Sequence, residues 1–190
     1  MTSDRSRIVV TGMGAMTPLG QTSDAFWANL VAGKPGIGPM TLCDPTDYPC
    51  RIAGEVRDFD PAEYMDNKES RRMARFSQLA VAAGLTAVKS AGLDISREDP
   101  YRVGVVLGNG NGGFPTLEDN CRVLAERGGM RMTPFFFPMV LPNMAAANVS
   151  RFVGAHGYNA TATTACASSN QAIGQALDNK APPPSRTKVP

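Results

Sequence analysis

Apolar positions along the chain follow two periods, one typical of strands and the other of helices. Short runs of β-branched and other apolar residues predict strands at residues 7–11, 51–56, 102–107 and 159–165. Apolar positions three and four residues apart predict a helix at residues 68–91, and further helices are expected at residues 25–31, 117–127, 142–153 and 170–177. Because strands and helices follow one another in turn, the pattern favours an α/β fold over an all-helical or all-β fold.

The helix at residues 68–91 has the clearest pattern. It carries one apolar stripe, formed by Met73, Phe76, Ala80, Ala83 and Ala87. Since three of these side chains are alanines, we expect the stripe to pack closely on a sheet or on another helix. Gly92 is a natural C-cap for this helix. For the first helix, Ser23 or Asp24 is the expected N-cap and Gly33 the expected end.

The composition and net charge of the chain restrict the classes of protein to which it can belong. The chain has 190 residues, of which 43% are hydrophobic and 19% charged, as in an ordinary soluble domain. A net charge of +2 is too small to favour nucleic acid or a membrane surface as a partner. No apolar run approaches the ~20 residues that a transmembrane helix needs. The polar start lacks the apolar segment of a signal peptide, so the sequence predicts a cytoplasmic protein.

The cysteine pattern gives no sign of a metal or a disulfide framework. Cys43, Cys50, Cys121 and Cys166 form no C-x-x-C pair, and the only histidine, His156, is not close to any of them in sequence. We therefore expect no bound metal and a reducing compartment.

Cys166 is the strongest candidate for chemistry. It lies between a Thr/Ala-rich predicted strand and the predicted helix at residues 170–177. At such a junction, free N–H groups and the helix dipole favour a thiolate. A thiolate with small neighbours is a nucleophile for acyl transfer. The pattern alone leaves open the alternative of a buried structural cysteine.

A glycine-rich turn forms a second motif, and it favours close packing over cofactor binding. Gly108, Gly110 and Gly113 match the G-x-G-x-x-G pattern of dinucleotide-binding folds. Phe114-Pro115 and the lack of a clear next strand argue against a helix that opens from the turn and against a dinucleotide cofactor. We therefore interpret the glycines as positions of close packing beside a site, and we expect no cofactor.

The single histidine, the basic cluster and the phenylalanine run each favour a structural interpretation. His156 is the one candidate base for Cys166, but its polar turn favours a solvated loop histidine. Lys68, Arg71, Arg72 and Arg75 are expected to form the solvated face of the long helix, with contact to an acidic carrier as the alternative. Residues 135–137, all phenylalanine, favour core or subunit interface.

Several motifs in series resemble the elongating β-ketoacyl-acyl-carrier-protein synthases of the thiolase superfamily. The likeness covers residues 7–177. It rests on RIVVTGMG at residues 7–14, TPLG at 17–20, KESRRMARF at 68–76, the glycine turn at 108–113, TPFF at 133–136, PNM at 142–144 and TACASS at 164–169. The resemblance implies the N-terminal half of a thiolase-like layered α/β fold, with a mixed sheet flanked by helices.

The resemblance also implies a reaction. Cys166 takes an acyl chain from a carrier thioester, malonyl-carrier loses carbon dioxide, and the resulting carbanion attacks the acyl-cysteine. Cys166 matches the nucleophile, and its own N–H is expected to contribute to the oxyanion hole. Asn111, Phe136 and Ala165 are expected to border the substrate, and Asn111 stands where the family often has an apolar residue. The implied partners are an acyl carrier protein and a second subunit in a homodimer.

The chain also departs from the family. Members are about twice this length, and their second half supplies two histidines, a lysine and a glycine-rich phenylalanine loop. We therefore expect residues 1–177 to be an N-terminal half that is truncated or frame-altered, and residues 178–190 to be a disordered, proline-rich tail. Such a half should be inactive in condensation alone and prone to associate. Two alternatives remain: a silent dimerisation fragment and a thiolase that uses coenzyme A.

Overall fold

The computed structural model describes residues 7–179, which form two units. One unit is Val10–Asp94, and the other comprises residues 95–179 together with residues 7–9. Most of the predicted tail, residues 180–190, lies outside the described residues. Within residues 7–179, no helix is both long enough and apolar enough to cross a membrane.

The unit at Val10–Asp94 is mainly helical. Its elements are helix α1 (Ser23–Val31), strands β1 (Gly38–Pro39) and β2 (Ile52–Ala53), a 3-10 turn (Pro61–Glu63), and helices α2 (Asn67–Ser70) and α3 (Arg75–Ser90). Strands β1 and β2 pair antiparallel, with Gly38 opposite Ala53. The strand predicted at residues 51–56 is thus confirmed only at its first positions.

Helix α1 begins two residues before the predicted start at Ala25. Its N-cap is Thr22, whose hydroxyl accepts a hydrogen bond from the Ala25 N–H at 3.1 Å. Neither Ser23 nor Asp24 is the cap, so that prediction is wrong. The helix ends at Val31, and Gly33 follows with a φ of +67°, as expected for a glycine that ends a helix.

The predicted helix at residues 68–91 is divided into α2 and α3. Ala74 has an extended backbone and interrupts the helix, and the Gln78 side chain donates hydrogen bonds to the carbonyls of Ser70 and Met73 in the break. Polar capping of the exposed carbonyls makes the interruption stable. The periodicity alone did not reveal it, because both helices continue nearly the same apolar spacing.

The buried face of α3 is shifted from the predicted stripe. Ser77, Val81 and Ala82 are buried, whereas the predicted alanines are half-buried. Ala83 and Ala87 lie against a segment without helix or strand assignment, where Gly12 and Gly14 approach the backbone of α3 so closely that a Cβ on either would overlap it. Close packing by small residues was predicted, but the partner is neither a sheet nor a helix.

Residues 7–11 were predicted to form a buried strand, and this is wrong for the described residues. They have no strand assignment, and Ile8, Val9 and Val10 are exposed, the last of them at 82%. A strand needs a neighbouring backbone to complete its hydrogen bonds, and none of residues 7–179 supplies one here.

The second unit contains the parallel strand pair. Its elements are 3-10 turns at Ile95–Arg97, Pro100–Arg102, Gly129–Arg131 and Ala165–Ala167, strands β3 (Val105–Gly108) and β4 (Asn159–Ala162), and helices α4 (Phe114–Arg127), α5 (Phe136–Val140), α6 (Met144–Val153) and α7 (Ser168–Asp178). Strands β3 and β4 pair in parallel from Val105–Asn159 to Gly108–Ala162, and α6 and α7 pack against them. The predicted α/β layering is confirmed, with the strands in two separate ladders.

Glu55 is the most perturbed carboxylate in the unit at Val10–Asp94. It accepts hydrogen bonds from the N–H groups of Leu42 and Thr41, from the Thr41 hydroxyl, and from Arg57, at 2.8–3.1 Å. The Leu42 and Thr41 N–H groups stabilise the anion most, and they hold the pKa of Glu55 at about 2. This carboxylate therefore fixes the segment that follows β1.

We expect this interaction to give the protein a specific acid sensitivity. Because the folded-state pKa of Glu55 lies below its ordinary value of 4.5, its stabilisation is complete above that value and is lost as the pH falls toward 2. In Glu55→Gln, stability should be lower at neutral pH and should change less over this window. Chemical unfolding at a series of pH values measures this, with exposed Glu126→Gln as control. Equal pH profiles for Glu55→Gln and the natural protein would contradict it.

Candidate active site

Cys166 lies in the connection between β4 and α7. After Ala162 the chain passes through two threonines into the 3-10 turn Ala165–Ala167, and α7 begins at once with Ser168. The helix thus starts two residues before its predicted start at Asn170. The Cys166 residue is exposed, which contradicts the alternative of a buried structural cysteine. The predicted strand-to-helix junction is confirmed.

Ser168 holds this turn together and was not singled out from the sequence. Its hydroxyl accepts a hydrogen bond from the Thr164 N–H at 2.8 Å and donates one to the Ala165 carbonyl at 2.7 Å. The Ala167 N–H also donates to the Thr164 carbonyl at 3.0 Å. Ser168 is 3% exposed, so both of its bonds are shielded from water. A serine just after a strand, at the first position of a helix, was the available signal.

Ala165 has the unusual backbone conformation that presents Cys166. Its φ is +50°, and it is the one residue other than glycine with a positive φ among residues 7–179. A side chain in this region costs on the order of 1 kcal/mol or more, and such strain persists where the surroundings fix it. The Ser168 hydroxyl, bonded to the Ala165 carbonyl, is one group that does so.

The glycine loop at residues 108–113 lies against the Cys166 turn. A Cβ at Gly108 would overlap the Ser168 carbonyl and would lie 2.5 Å from the Ser169 nitrogen. A Cβ at Gly110 would lie 3.9 Å from the Ala165 carbonyl oxygen. The predicted interpretation of these glycines as close-packing positions beside a site agrees with this geometry. Asn111, two residues before the end of the loop, is exposed.

Hydrogen bonds also connect the same loop to the end of α5. The Asn109 side-chain amide donates to the Pro142 carbonyl at 2.9 Å, and the Gly113 N–H donates to the Val140 carbonyl at 3.1 Å. Phe136 begins α5, is half-buried, and packs edge-to-face on Phe137 with ring centroids 5.2 Å apart. The loop therefore connects the Cys166 turn with the helix that carries Phe136.

The fold contradicts one of the arguments against a dinucleotide cofactor. Helix α4 opens directly from Gly113, although Phe114-Pro115 was expected to prevent this. Pro115 is compatible with the first turn because its nitrogen needs no hydrogen there. The fingerprint also requires an acidic residue after the next strand, and β4 is followed by Thr163 and Thr164. The sequence pattern therefore remains incomplete.

His156 is placed away from Cys166. His156 precedes β4 and Cys166 follows it, so the two lie beyond opposite ends of a strand that is about 13 Å long at ~3.3 Å per residue. His156 is exposed, its N–H donates to the Pro100 carbonyl at 2.8 Å, and its ring lies edge-on to Tyr101. This arrangement fits the solvated loop histidine that was favoured from the sequence.

Part of the basic cluster has structural roles within the unit at Val10–Asp94. The Arg75 guanidinium donates to the Val56 carbonyl and lies over the Phe59 ring at 5.6 Å. Arg72 pairs with Glu69 at 3.9 Å. Lys68 and Arg71, the other two members of the cluster, are exposed. The predicted solvated face agrees with the exposure of Lys68, Arg71 and Arg75, whereas Arg72 is half-buried.

Metal ligands are not gathered at the site. Cys43, Cys50 and Cys121 are exposed and unbridged, as Cys166 is. Within residues 7–179, no three histidine, cysteine or acidic side chains are grouped so that they could hold a metal ion. What distinguishes Cys166 from the other cysteines is its turn, with the strained residue before it and the helix after it.

The Gly108 contact can be tested by substitution. We expect Gly108→Ala to destabilise the protein by about 1–3 kcal/mol, because its Cβ would overlap the Ser168 backbone. Gly174→Ala, in the middle of α7, is the matched control: nothing lies within 4 Å of its added Cβ, so it should stabilise by roughly 0.5–1 kcal/mol. Denaturant unfolding measures both, and equal effects of the two substitutions would contradict the close approach.

The role of Ser168 can be tested in the same turn. Ser168→Ala leaves the Thr164 N–H without its acceptor and removes the hydroxyl bond to the Ala165 carbonyl, which keeps its bond from the Ser168 N–H; we expect a loss of about 1–2 kcal/mol. The Thr164 amide should also exchange with solvent deuterium several times faster. Ser169→Ala, at the next and exposed position, should change neither quantity. Unaltered exchange at Thr164 in Ser168→Ala would count against the hydrogen bond.

Comparison with known proteins places this geometry in a family. Residues 5–179 match the family model described as beta-ketoacyl synthase, N-terminal domain. The chain is 43% identical over 174 residues to 3-oxoacyl-[acyl-carrier-protein] synthase 2 of Synechocystis sp., and 42% identical over 175 residues to the protein of the same name from Staphylococcus aureus. Each match covers 92% of this chain and 42% of the relative.

Solved structures give the same result. A beta-ketoacyl synthase from Burkholderia phymatum superposes with a TM-score of 0.73 at 31% identity, over 91% of this chain and 43% of that one. A type II PKS acyl-carrier protein in complex with its ketosynthase, bound to the hexaketide, contains a chain that superposes with a TM-score of 0.75 at 28% identity. That match covers 90% of this chain and 45% of the other.

These matches confirm the resemblance read from the sequence, together with its layered α/β fold. The chain spans less than half the length of the relatives and structures it matches. It belongs to the beta-ketoacyl synthase family and corresponds to the N-terminal domain of that family.

Proposed function

We propose that this chain provides the acyl-accepting part of a 3-oxoacyl-[acyl-carrier-protein] synthase in fatty acid biosynthesis. The observation that carries the proposal is the exposed Cys166 thiol, which is presented between a strained Ala165 and the first turn of α7. The names of the relatives from Synechocystis sp. and Staphylococcus aureus support the reaction class.

The first step needs only groups near Cys166. The thiolate attacks the carbonyl carbon of an acyl thioester, and the carbonyl oxygen becomes an oxyanion. N–H groups in the first turn of a helix have no partner within the helix, and Cys166 lies two residues before Ser168, the first residue of α7. When the tetrahedral intermediate collapses, the carrier thiolate leaves and the acyl chain remains bonded to the Cys166 sulfur.

The second step needs further groups. Malonyl-carrier loses carbon dioxide, and its carbanion attacks the acyl-Cys166 carbonyl. The Cys166 thiolate leaves, and the product is a β-ketoacyl-carrier. Donors must stabilise the enolate and the oxyanion during this step. We assign those donors to the part of the family that the chain does not span, because His156 lies at the other end of β4.

We further propose that Asn111, Phe136 and Ala165 border the acyl chain. The support is that the loop containing Asn111 lies against the Ala165 turn and is bonded to the end of α5, the helix on which Phe136 lies. An exposed carboxamide at Asn111 adds a polar group to this border. Residues 1–177 would then form the N-terminal half of a synthase domain, which stays a prediction from the sequence.

We propose an acyl carrier protein as the partner that delivers the substrate. A solved relative is a ketosynthase in complex with an acyl-carrier protein, and Lys68 and Arg71 are exposed cations that could meet an acidic carrier. A homodimer in the cytoplasm is the assembly and location we propose. The exposed apolar residues Ile8, Val9 and Val10 support an associating surface.

A second candidate function is a non-catalytic association module. The same exposed apolar segment favours it, because a surface of this kind is typical of an interface rather than of a monomer. The two functions make opposite predictions for Cys166, which would be dispensable in the module. A coenzyme A thiolase is less well supported, since the relatives are named for the carrier protein.

The proposal predicts selective acylation of Cys166. The purified chain, given an acyl thioester on the carrier protein, should gain the mass of the acyl group on the peptide that contains Cys166. Cys166→Ala should abolish this gain, whereas Cys121→Ala, at another exposed cysteine of the same unit, should retain it. Equal labelling of Cys121 and Cys166 would favour the association module.

The same assay distinguishes acyl transfer from condensation, and the carrier thioester from the coenzyme A thioester. We expect no carbon dioxide from malonyl-carrier with this chain alone, because the enolate donors are assigned elsewhere. Carbon dioxide release at the rate of a full-length relative would contradict that assignment. Faster transfer from the coenzyme A thioester than from the carrier thioester would favour the thiolase.

A further inference from the structure

The loop beside Cys166 contains two Asn-Gly pairs, Asn109-Gly110 and Asn111-Gly112. In such a pair, the glycine nitrogen can attack the asparagine side-chain carbonyl carbon and form a five-membered succinimide. The side-chain nitrogen leaves as ammonia, and water then opens the ring to aspartate or isoaspartate. Glycine favours this reaction because it has no Cβ to obstruct the attack. No oxidant, enzyme or other co-reactant is needed.

Asn109 is held in place and cannot easily reach the geometry of attack. Its side-chain nitrogen donates to the Pro142 carbonyl at 2.9 Å, and its side-chain oxygen accepts from the Asn111 N–H at 3.4 Å. Its own N–H donates to the Ala162 carbonyl at 3.0 Å. Turning the Asn109 amide toward the Gly110 nitrogen would break the first two bonds at a half-buried position.

Asn111 has none of these restraints. It is exposed, and its side-chain amide makes no hydrogen bond with any of residues 7–179. The Gly112 N–H, which is the attacking group, is likewise without an acceptor in the part of the chain that the structure describes. Both reacting groups are therefore free, and water can reach the ring that they would form.

The glycine after Asn111 cannot be exchanged for a residue that would slow the attack. Gly112 has a φ of +88°, and a Cβ on it would lie 2.5 Å from the Val140 carbonyl oxygen and 3.2 Å from the Pro142 nitrogen. The close packing that places the loop beside α5 thus requires the residue type that makes Asn111 reactive.

We propose that Asn111 is a site of spontaneous deamidation in the folded protein and that Asn109 is not. The reaction replaces a neutral amide by a carboxylate in the loop that lies against the Ala165–Ala167 turn. Its isoaspartate form also adds one methylene group to the backbone before Gly112. This proposal concerns the loop itself and does not depend on the acyl-transfer function.

The experiment compares the two asparagines in the same protein. The folded full chain and the chain unfolded in denaturant are incubated at mildly alkaline pH, and samples are digested and analysed by mass spectrometry over time. Isoaspartate is detected by methyl transfer from an isoaspartate methyltransferase. In the folded protein, Asn111 should be converted many times faster than Asn109, whereas in the unfolded chain the two rates should be similar.

Matched variants make the assignment specific. Asn111→Gln should remove most of the conversion in the folded protein, because glutamine would need a six-membered ring that forms much more slowly. Asn109→Gln should leave conversion at position 111. Equal rates for Asn109 and Asn111 in the folded protein, or conversion at Asn109 alone, would overturn the proposal.

A second readout concerns the effect on Cys166. Asn111→Asp introduces the carboxylate directly, and it should slow alkylation of Cys166 by a neutral reagent severalfold, more strongly at low ionic strength, because a nearby anion disfavours a thiolate. Alkylation of Cys121 in the same sample serves as the internal reference. This measurement needs no acyl substrate, so it is independent of whether Cys166 accepts acyl groups. Equal alkylation of Cys166 in Asn111→Asp and the natural protein would overturn the link to Cys166.

Discussion

The contact between Gly108 and Ser168 brings the end of one strand against the start of a helix, backbone to backbone. Gly108 also pairs with Ala162 in the parallel ladder, so β3, β4 and α7 meet at this point. Any side chain at Gly108 would push α7 away from β3 and would move the turn that carries Cys166. The position of the thiol therefore depends on the lack of a side chain 58 residues earlier in the chain.

The turn that carries Cys166 contains a strained residue and the hydrogen bonds that hold that residue in place. Ala165 has a positive φ that an alanine seldom adopts, and the Ser168 hydroxyl bonds both sides of the turn across it. Ser168 is buried while Cys166 is exposed, so the group that supports the turn is shielded and the cysteine faces solvent. A thiol on an unrestrained loop would have to lose conformational entropy before the proposed acyl transfer, whereas folding already restricts the turn that carries Cys166.

Sequence patterns predicted where the helices and strands lie better than they predicted which segments pack against them. The α/β layering, the junction at Cys166 and most helices could be predicted because apolar spacing and helix-ending glycines are local signals. The break at Ala74 and the unpaired residues 7–11 could not, because neither follows from the apolar spacing. The role of Ser168 was missed although its contacts with Thr164 and Ala165 are local. Motif resemblance identified Cys166 and the glycine loop, but only coordinates revealed which loop atoms carry hydrogen bonds.

Under the proposed function, the reaction divides between this chain and the part of the family that it does not span. For acyl transfer, β4, the strained turn and α7 position the Cys166 side chain near the start of a helix, where N–H groups lack a partner within the helix. For carbon–carbon bond formation, donors must stabilise the enolate and the oxyanion, and the histidine of residues 7–179 lies beyond the other end of β4. We therefore assign those donors to the rest of the family's fold. On this proposal, local geometry is enough to position Cys166 but not to complete the condensation.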